Sequence, residues 1–151
     1  MVKIVAHLRD GRLLKGHTDA LPPEMKLDEL LRGGPHPLPK QITLQTDGSR
    51  QKVSVPLDSL KALFFVKSFQ GRTDYQEIKF FDAHPPVEGL WVRIKFFDGE
   101  ASEGVVHNSL HHLTSPGFFL KPPDPESNNE YIYVLKSSLT DFRVLGVRSI
   151  F

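Results

Sequence analysis

The sequence predicts an all-β protein, built as a tandem, pseudo-symmetric pair of small five-stranded barrels. Three observations carry that expectation. Two alternating apolar segments each run into an Asp-Gly pair; a second glycine follows at the same spacing in both; and the downstream strand-like segments agree collinearly between the halves of the 151 residues. The two openings are VKIVAHLRDGRLLKGHT at residues 2–18 and LWVRIKFFDGEASEGVV at 90–106.

Each element follows in order. Asp10-Gly11 and Asp98-Gly99, flanked by alternating apolar residues, are hairpin signals, because these residue types tolerate the positive φ of a tight two-residue turn. Gly16 and Gly104 fall inside the second strand, where glycine marks a bulge or sharp bend. The third strand is carried by Ile42 and Leu44 in one half and by Phe118 and Leu120 in the other. Val53 and Val55 then match Ile132 and Val134 as the fourth strand. Pro56 suits an exit into a 3₁₀ turn, where no ladder donor is required. Ser59-Leu60 matches Ser138-Leu139 at the same offset, and Leu63, Phe65 and Val66 match Phe142, Val144 and Leu145 as the fifth strand.

Five short bent strands with a turn before the last describe an SH3-like or Sm-like barrel. The expected boundaries are 1–68 for the first barrel, with a long loop at 19–41, then a connector at 69–89 and a second barrel at 90–151. Barrels of about 60–70 residues sit at the lower edge of independent stability, so the halves are expected to pack together. The adjacent pairs Phe64-Phe65, Phe80-Phe81, Phe96-Phe97 and Phe118-Phe119 fit this, since neighbouring strand residues face opposite sides. One ring of a pair can fill a barrel while the other covers a second surface. In the connector, Ile78, Phe80 and Phe81 point to a docking segment or an extra strand. In the long loop, Glu24–Leu31 has the pattern of two helical turns stopped by Gly33-Gly34-Pro35.

Composition excludes more than it selects. The chain has no Cys, which removes disulfides, thiolate metal sites and cysteine nucleophiles. Nineteen Lys and Arg face 18 Asp and Glu, a formal charge of +1 that offers no global attraction to nucleic acid. Residues 1–75 hold 12 basic and 8 acidic groups (+4) and residues 76–151 hold 7 and 10 (−3), an opposition that favours docking or self-association. No apolar run reaches the roughly 18–20 residues that span a bilayer, and the N-terminus lacks a signal-peptide core. The expected compartment is the cytoplasm.

The stretch Ser59–Gly71 (SLKALFFVKSFQG), together with Gly117-Phe118-Phe119-Leu120 and Asp124-Pro125-Glu126-Ser127-Asn128-Asn129, resembles a group of uncharacterised bacterial proteins. These carry a domain of unknown function, sometimes beside PilZ or signalling domains. The resemblance runs from Val2 to about Leu145 and implies no established activity; the segment from Ala20 to Lys40 is longer than its pattern. The first hairpin, Val5-x-x-Leu8-x-Asp10-Gly11-x-x-Leu14-x-Gly16, also resembles the opening motif of Sm-like RNA-binding barrels. That pattern encodes geometry that unrelated folds share. The Arg-Gly of the Sm-type RNA pocket is not reproduced at Asp47–Arg50 or at Ser127–Asn129.

Catalytic chemistry finds no constellation: there is no nucleophile elbow, phosphate-cradling glycine loop or close carboxylate pair in an apolar setting. His107, His111 and His112 cluster, but no further ligand stands at a metal-site spacing, so a solvated loop is expected and no metal or cofactor. Ser127-Asn128-Asn129 reads as a turn with left-handed Asn and Asx hydrogen bonds, or as a polar loop offered to a partner. The expectation is a non-enzymatic interaction or regulatory module, a bacterial cytoplasmic adaptor that binds another protein through Trp91, Phe97, Ser127, Asn128 and Asn129. The alternatives are an Sm-like nucleic-acid binder and a small-ligand sensor.

Overall fold

The computed structural model describes residues 2–18, 40–46, 50–69, 78–82, 85, 89–108, 115–124 and 127–148. Within them the chain is all-β. The strands are β1 (Val2–Leu8), β2 (Leu13–Thr18), β3 (Gln41–Thr46), β4 (Lys52–Pro56), β5 (Leu60–Val66), β6 (Gly89–Phe96), β7 (Ala101–Val106), β8 (Gly117–Leu120), β9 (Asn129–Leu135) and β10 (Leu139–Arg148). Single 3₁₀ turns at Leu57–Ser59 and Lys136–Ser138 precede β5 and β10, as the Pro56 and Ser-Leu patterns predict. The expected helical turns at Glu24–Leu31 and the residues His111 and His112 lie outside the described residues.

Strands β1 to β4 form an antiparallel meander, and β5 returns along the free side of β1. Beyond β5 the same sheet continues into β9 and β8, giving the seven-stranded order β4-β3-β2-β1-β5-β9-β8; the second sheet has three strands, β10-β6-β7. Val105 and Lys121 exchange two backbone hydrogen bonds of 3.0 and 2.9 Å, tying β7 to the chain just past β8. Hydrogen bonding therefore divides the strands seven and three, not five and five, and neither sheet closes on itself. The cause is the β5–β9 ladder, which pairs Ala62 with Val134, Phe64 with Ile132 and Phe65 with Tyr131. It joins the last strand of the first half to the fourth strand of the second.

Both Asp-Gly hairpins have one geometry, and it differs from the expected two-residue turn. Gly11 donates to the Leu8 carbonyl at 3.0 Å while Leu8 donates to Arg12 at 2.9 Å; Gly99 and Phe96 do the same with Phe96 and Glu100 at 2.9 and 2.8 Å. Only the glycines have positive φ, 93° at Gly11 and 90° at Gly99. This is a three-residue loop, a type I turn closed by a left-handed glycine. The aspartates keep negative φ and instead accept the amide two residues on, Asp10 from Arg12 and Asp98 from Glu100, each at 3.0 Å.

The core has two lobes divided by the large sheet. One gathers Ile4, Ile42, Leu44, Leu60, Leu63 and Phe65 with Tyr131, Tyr133 and Leu135 from the second half. The other gathers Val92, Ile94, Phe96, Phe118, Leu120 and Val134 with Val5, Ala62 and Phe64 from the first. Each half thus supplies side chains to both lobes, and Phe64 and Phe65 fall on opposite faces as strand alternation requires. Burying a Phe or Leu side chain stabilises by about 1.5–3 kcal/mol, so this sharing couples the halves strongly. Every residue of β5 is buried.

Candidate functional site

The two hairpins lie side by side, and each turn is anchored alike: Arg9 donates its amide to the Ser59 carbonyl and Phe97 to the Ser138 carbonyl, both at 2.9 Å. Between them opens a cleft of about 280 Å³ whose walls include His7, Arg9, Leu13, Lys61, Phe97 and Asp98. Its apolar rim is solvent-facing, Leu13 being 53% exposed and Phe97 43%. The Arg9 guanidinium stands 5.4 Å from the centre of the Phe97 ring and donates to the Ser137 carbonyl and hydroxyl at 3.2 and 3.3 Å. Among the described residues, no carboxylate pairs with Arg9.

Beneath this rim one cation meets two carboxylates. Lys61, buried in β5, places its ammonium 2.7 Å from Asp98 and 3.1 Å from Glu100, and 4.6 Å from the centre of the Phe96 ring. Burial pulls the lysine pKa down, but hydrogen bonds to Asp98 and Glu100 outweigh it and leave the group above its ordinary value. The Lys61 hydrogen bond and the Glu100 amide hold Asp98 below the usual carboxylate range. The His7 ring packs against Phe64 at a tilt of 40°, with ring centres 4.1 Å apart. Burial first, then the Lys61 charge, keep the imidazole below its ordinary pKa. The cleft therefore offers an aromatic face, an aliphatic wall and one surface cation, which suits recognition of a peptide side chain with an acidic or carbonyl group beside it.

The other expected partner-binding residues are held within the molecule. Trp91 is half-buried on β6, where its indole N–H donates to Glu103 at 2.9 Å and its ring meets Phe81 edge-on at 6.1 Å. Ser127 is buried, its hydroxyl accepting the Asn129 amide at 2.9 Å. Asn128 accepts the Ser68 amide at 3.0 Å through Oδ1 and donates to the Ser68 carbonyl at 2.9 Å through Nδ2. Neither Asn128 nor Asn129 is left-handed, contrary to the turn expected there. The loop instead ties the end of β5 to the start of β9. Phe97 alone of the five lies in the cleft. His107 is half-buried at the end of β7, and no group of three possible metal ligands is found among the described residues.

Glu103 is a polar centre the sequence did not announce. On β7 its side chain is 1% exposed and accepts from Trp91, the Phe81 amide at 3.0 Å and the Arg93 fork, while its own amide donates to the Lys79 carbonyl at 2.8 Å. Burial raises its pKa, but the bonds from Phe81, Arg93 and Trp91 outweigh burial and hold it below the ordinary carboxylate value. Ile78 adds a bond from its amide to Asp124 at 3.0 Å. The connector at 78–82 is thus a docked segment, without strand pairing. The signal was present: counting outward from the Asp98-Gly99 turn sets Arg93 directly opposite Glu103.

No curated protein and no solved structure matches the chain. The family of unknown function DUF6982 matches residues 1–146, and the chain belongs to that family.

Proposed function

We propose that the protein is a non-enzymatic protein-interaction or regulatory module, a tandem pair of small SH3-like barrels that binds a peptide segment of another protein at the cleft between its paired hairpins. The observation that carries this reading is Phe97, an open aromatic ring at the tip of a hairpin with the Arg9 cation beside it. The duplicated plan is supported by strand order: β1 to β5 run β4-β3-β2-β1-β5, and β6 to β10 run β9-β8-β7-β6-β10 once the Val105–Lys121 bridge is counted. Identical turns, identical Ser59 and Ser138 anchors and equivalent tight glycines support it further. The compartment that goes with this reading is the reducing bacterial cytoplasm, from the Cys-free composition.

The cleft is open to solvent along a rim that includes Leu13 and Phe97, which favours a surface contact over an enclosed metabolite. The test is selection of peptides on the full chain from a displayed library, followed by titration calorimetry. Peptides selected on the wild type should lose at least about tenfold in affinity against Phe97→Ala, the loss expected for an aromatic anchor. Unchanged affinity in that variant would reject the cleft, and RNA binding in place of peptide binding would favour the nucleic-acid alternative.

A further inference from the structure

We propose that copies of this chain assemble head to tail, β10 of one copy pairing antiparallel with β4 of the next in the register that joins β5 to β9 within the chain. The inference rests on the equivalence of the two halves proposed above, and is independent of the cleft. Within one chain, the fifth strand of the first half pairs with the fourth strand of the second. The two strands that would repeat this junction between copies are β10 and β4. Among the described residues, β10 pairs only with β6 and β4 only with β3.

The surfaces fit that role. Phe142, Val144 and Leu145 are 41, 51 and 39% exposed, whereas their counterparts Leu63, Phe65 and Val66 in β5 are 2, 2 and 8% exposed. An exposed apolar edge strand of this length invites pairing unless it is covered. On β4, Thr46 donates to the Gln51 carbonyl at 3.1 Å and Leu57 donates to Lys40 at 2.9 Å. Strand alternation then turns the backbone groups of Lys52 and Ser54 outward, away from β3.

Transposing the internal ladder onto these edges sets Asp141 opposite Val55, Phe142 opposite Ser54, Arg143 opposite Val53 and Val144 opposite Lys52. Pro56, which lacks an N–H, falls just beyond the Asp141–Val55 end of this ladder. A contact of this kind is heterologous, so it propagates into a closed ring or an open filament.

The experiment uses the full chain, whose lack of Cys makes cross-linking specific. Light scattering during size exclusion, from micromolar to millimolar protein, should show concentration-dependent oligomers, and Val144→Lys should weaken association at least about tenfold while leaving the circular dichroism unchanged. In parallel, Val53→Cys and Arg143→Cys chains are mixed under mild oxidation. Their counterparts Ile132 and Phe64 face each other in a closely spaced non-hydrogen-bonded pair, a geometry that accepts a disulfide. A mixed covalent dimer is expected. A monomer throughout the concentration range overturns the proposal and leaves the cleft reading standing. An oligomer insensitive to Val144→Lys and lacking the mixed disulfide overturns it equally.

Discussion

Asn128 and Ser68, separated by 60 positions in the chain, bind each other as two strand residues would: the amide side chain of Asn128 takes the Ser68 N–H at 3.0 Å and gives a hydrogen bond to the Ser68 carbonyl at 2.9 Å. Lys67 adds a backbone bond to the Asn128 carbonyl at 2.9 Å. The register of the β5–β9 ladder shifts between Phe65 and Val66, and this clamp resumes the pairing beyond the shift. Asn128→Ala removes the two side-chain bonds and a third from the Ser68 hydroxyl at 3.3 Å, all exposed, and should cost about 1–2 kcal/mol in urea unfolding. Asn128→Asp should cost no less, because a carboxylate keeps the acceptor but turns a second oxygen toward the Ser68 carbonyl.

Glu103 joins β6, β7 and the connector. Glu103→Ala leaves the indole N–H of Trp91 and the Phe81 amide without their acceptor and should destabilise by about 2–4 kcal/mol. Trp91 is the only tryptophan, so its emission reports this site directly. The expected outcome is a red shift as Phe81 leaves the indole, with Glu103→Gln intermediate because it retains an acceptor oxygen.

His7 supplies a pH dependence. Its pKa lies below the ordinary 6.5, so the unfolded chain takes up a proton that the folded chain resists. Stability therefore rises with pH across the interval between the folded value and 6.5, and falls as the solution is acidified through that interval. Thermal unfolding between about pH 7.5 and about pH 5 should show this slope, and His7→Gln should flatten it. Asp98 and Glu103 act in a separate window. Their depressed values add stability at pH above the ordinary carboxylate range, and that stability is lost only as pH falls through their folded values.

Two glycines at equivalent positions differ in what a methyl group would meet. At Gly16 a Cβ would stand 2.5 Å from the backbone oxygen of Gln45; at Gly104 it would stand 2.3 Å from the Leu120 side chain. A side chain can shift where a paired strand cannot. Gly104→Ala should cost about 1–3 kcal/mol, as overpacking does, and Gly16→Ala should cost more. Equal costs in denaturant titrations would mean that β3 gives way as readily as a leucine.

What was legible in the chain was local. The Asp-Gly hairpins and the 3₁₀ turns before β5 and β10 are short-range patterns, and they stand where the sequence puts them; Gly16 and Gly104 instead sit in ladders of unbroken register, where they allow a close approach of Gln45 and Leu120. The turn type was not legible, because Asp-Gly also suits a three-residue loop in which the aspartate caps an amide, as Asp10 and Asp98 do. The joining of the halves was not legible. Strand β5, LKALFFV, is buried along its whole length, so it lacks the alternation that would name a partner. Lys61 within it reads as a surface charge until Asp98 and Glu100 are brought over it from residues far along the chain. Trp91 and the 127–129 loop looked like partner-binding features because aromatic and amide groups suit partners and internal clamps alike.

The central functional claim is that both hairpins form one binding surface around Phe97. The direct measurement is the change in backbone amide NMR shifts of the full chain when a selected peptide is added. Perturbations should cluster at residues 7–13 and 96–100 together, with Lys61 between them. Shifts confined to one hairpin, or centred on the 127–129 loop or the β4 and β10 edges, would contradict it.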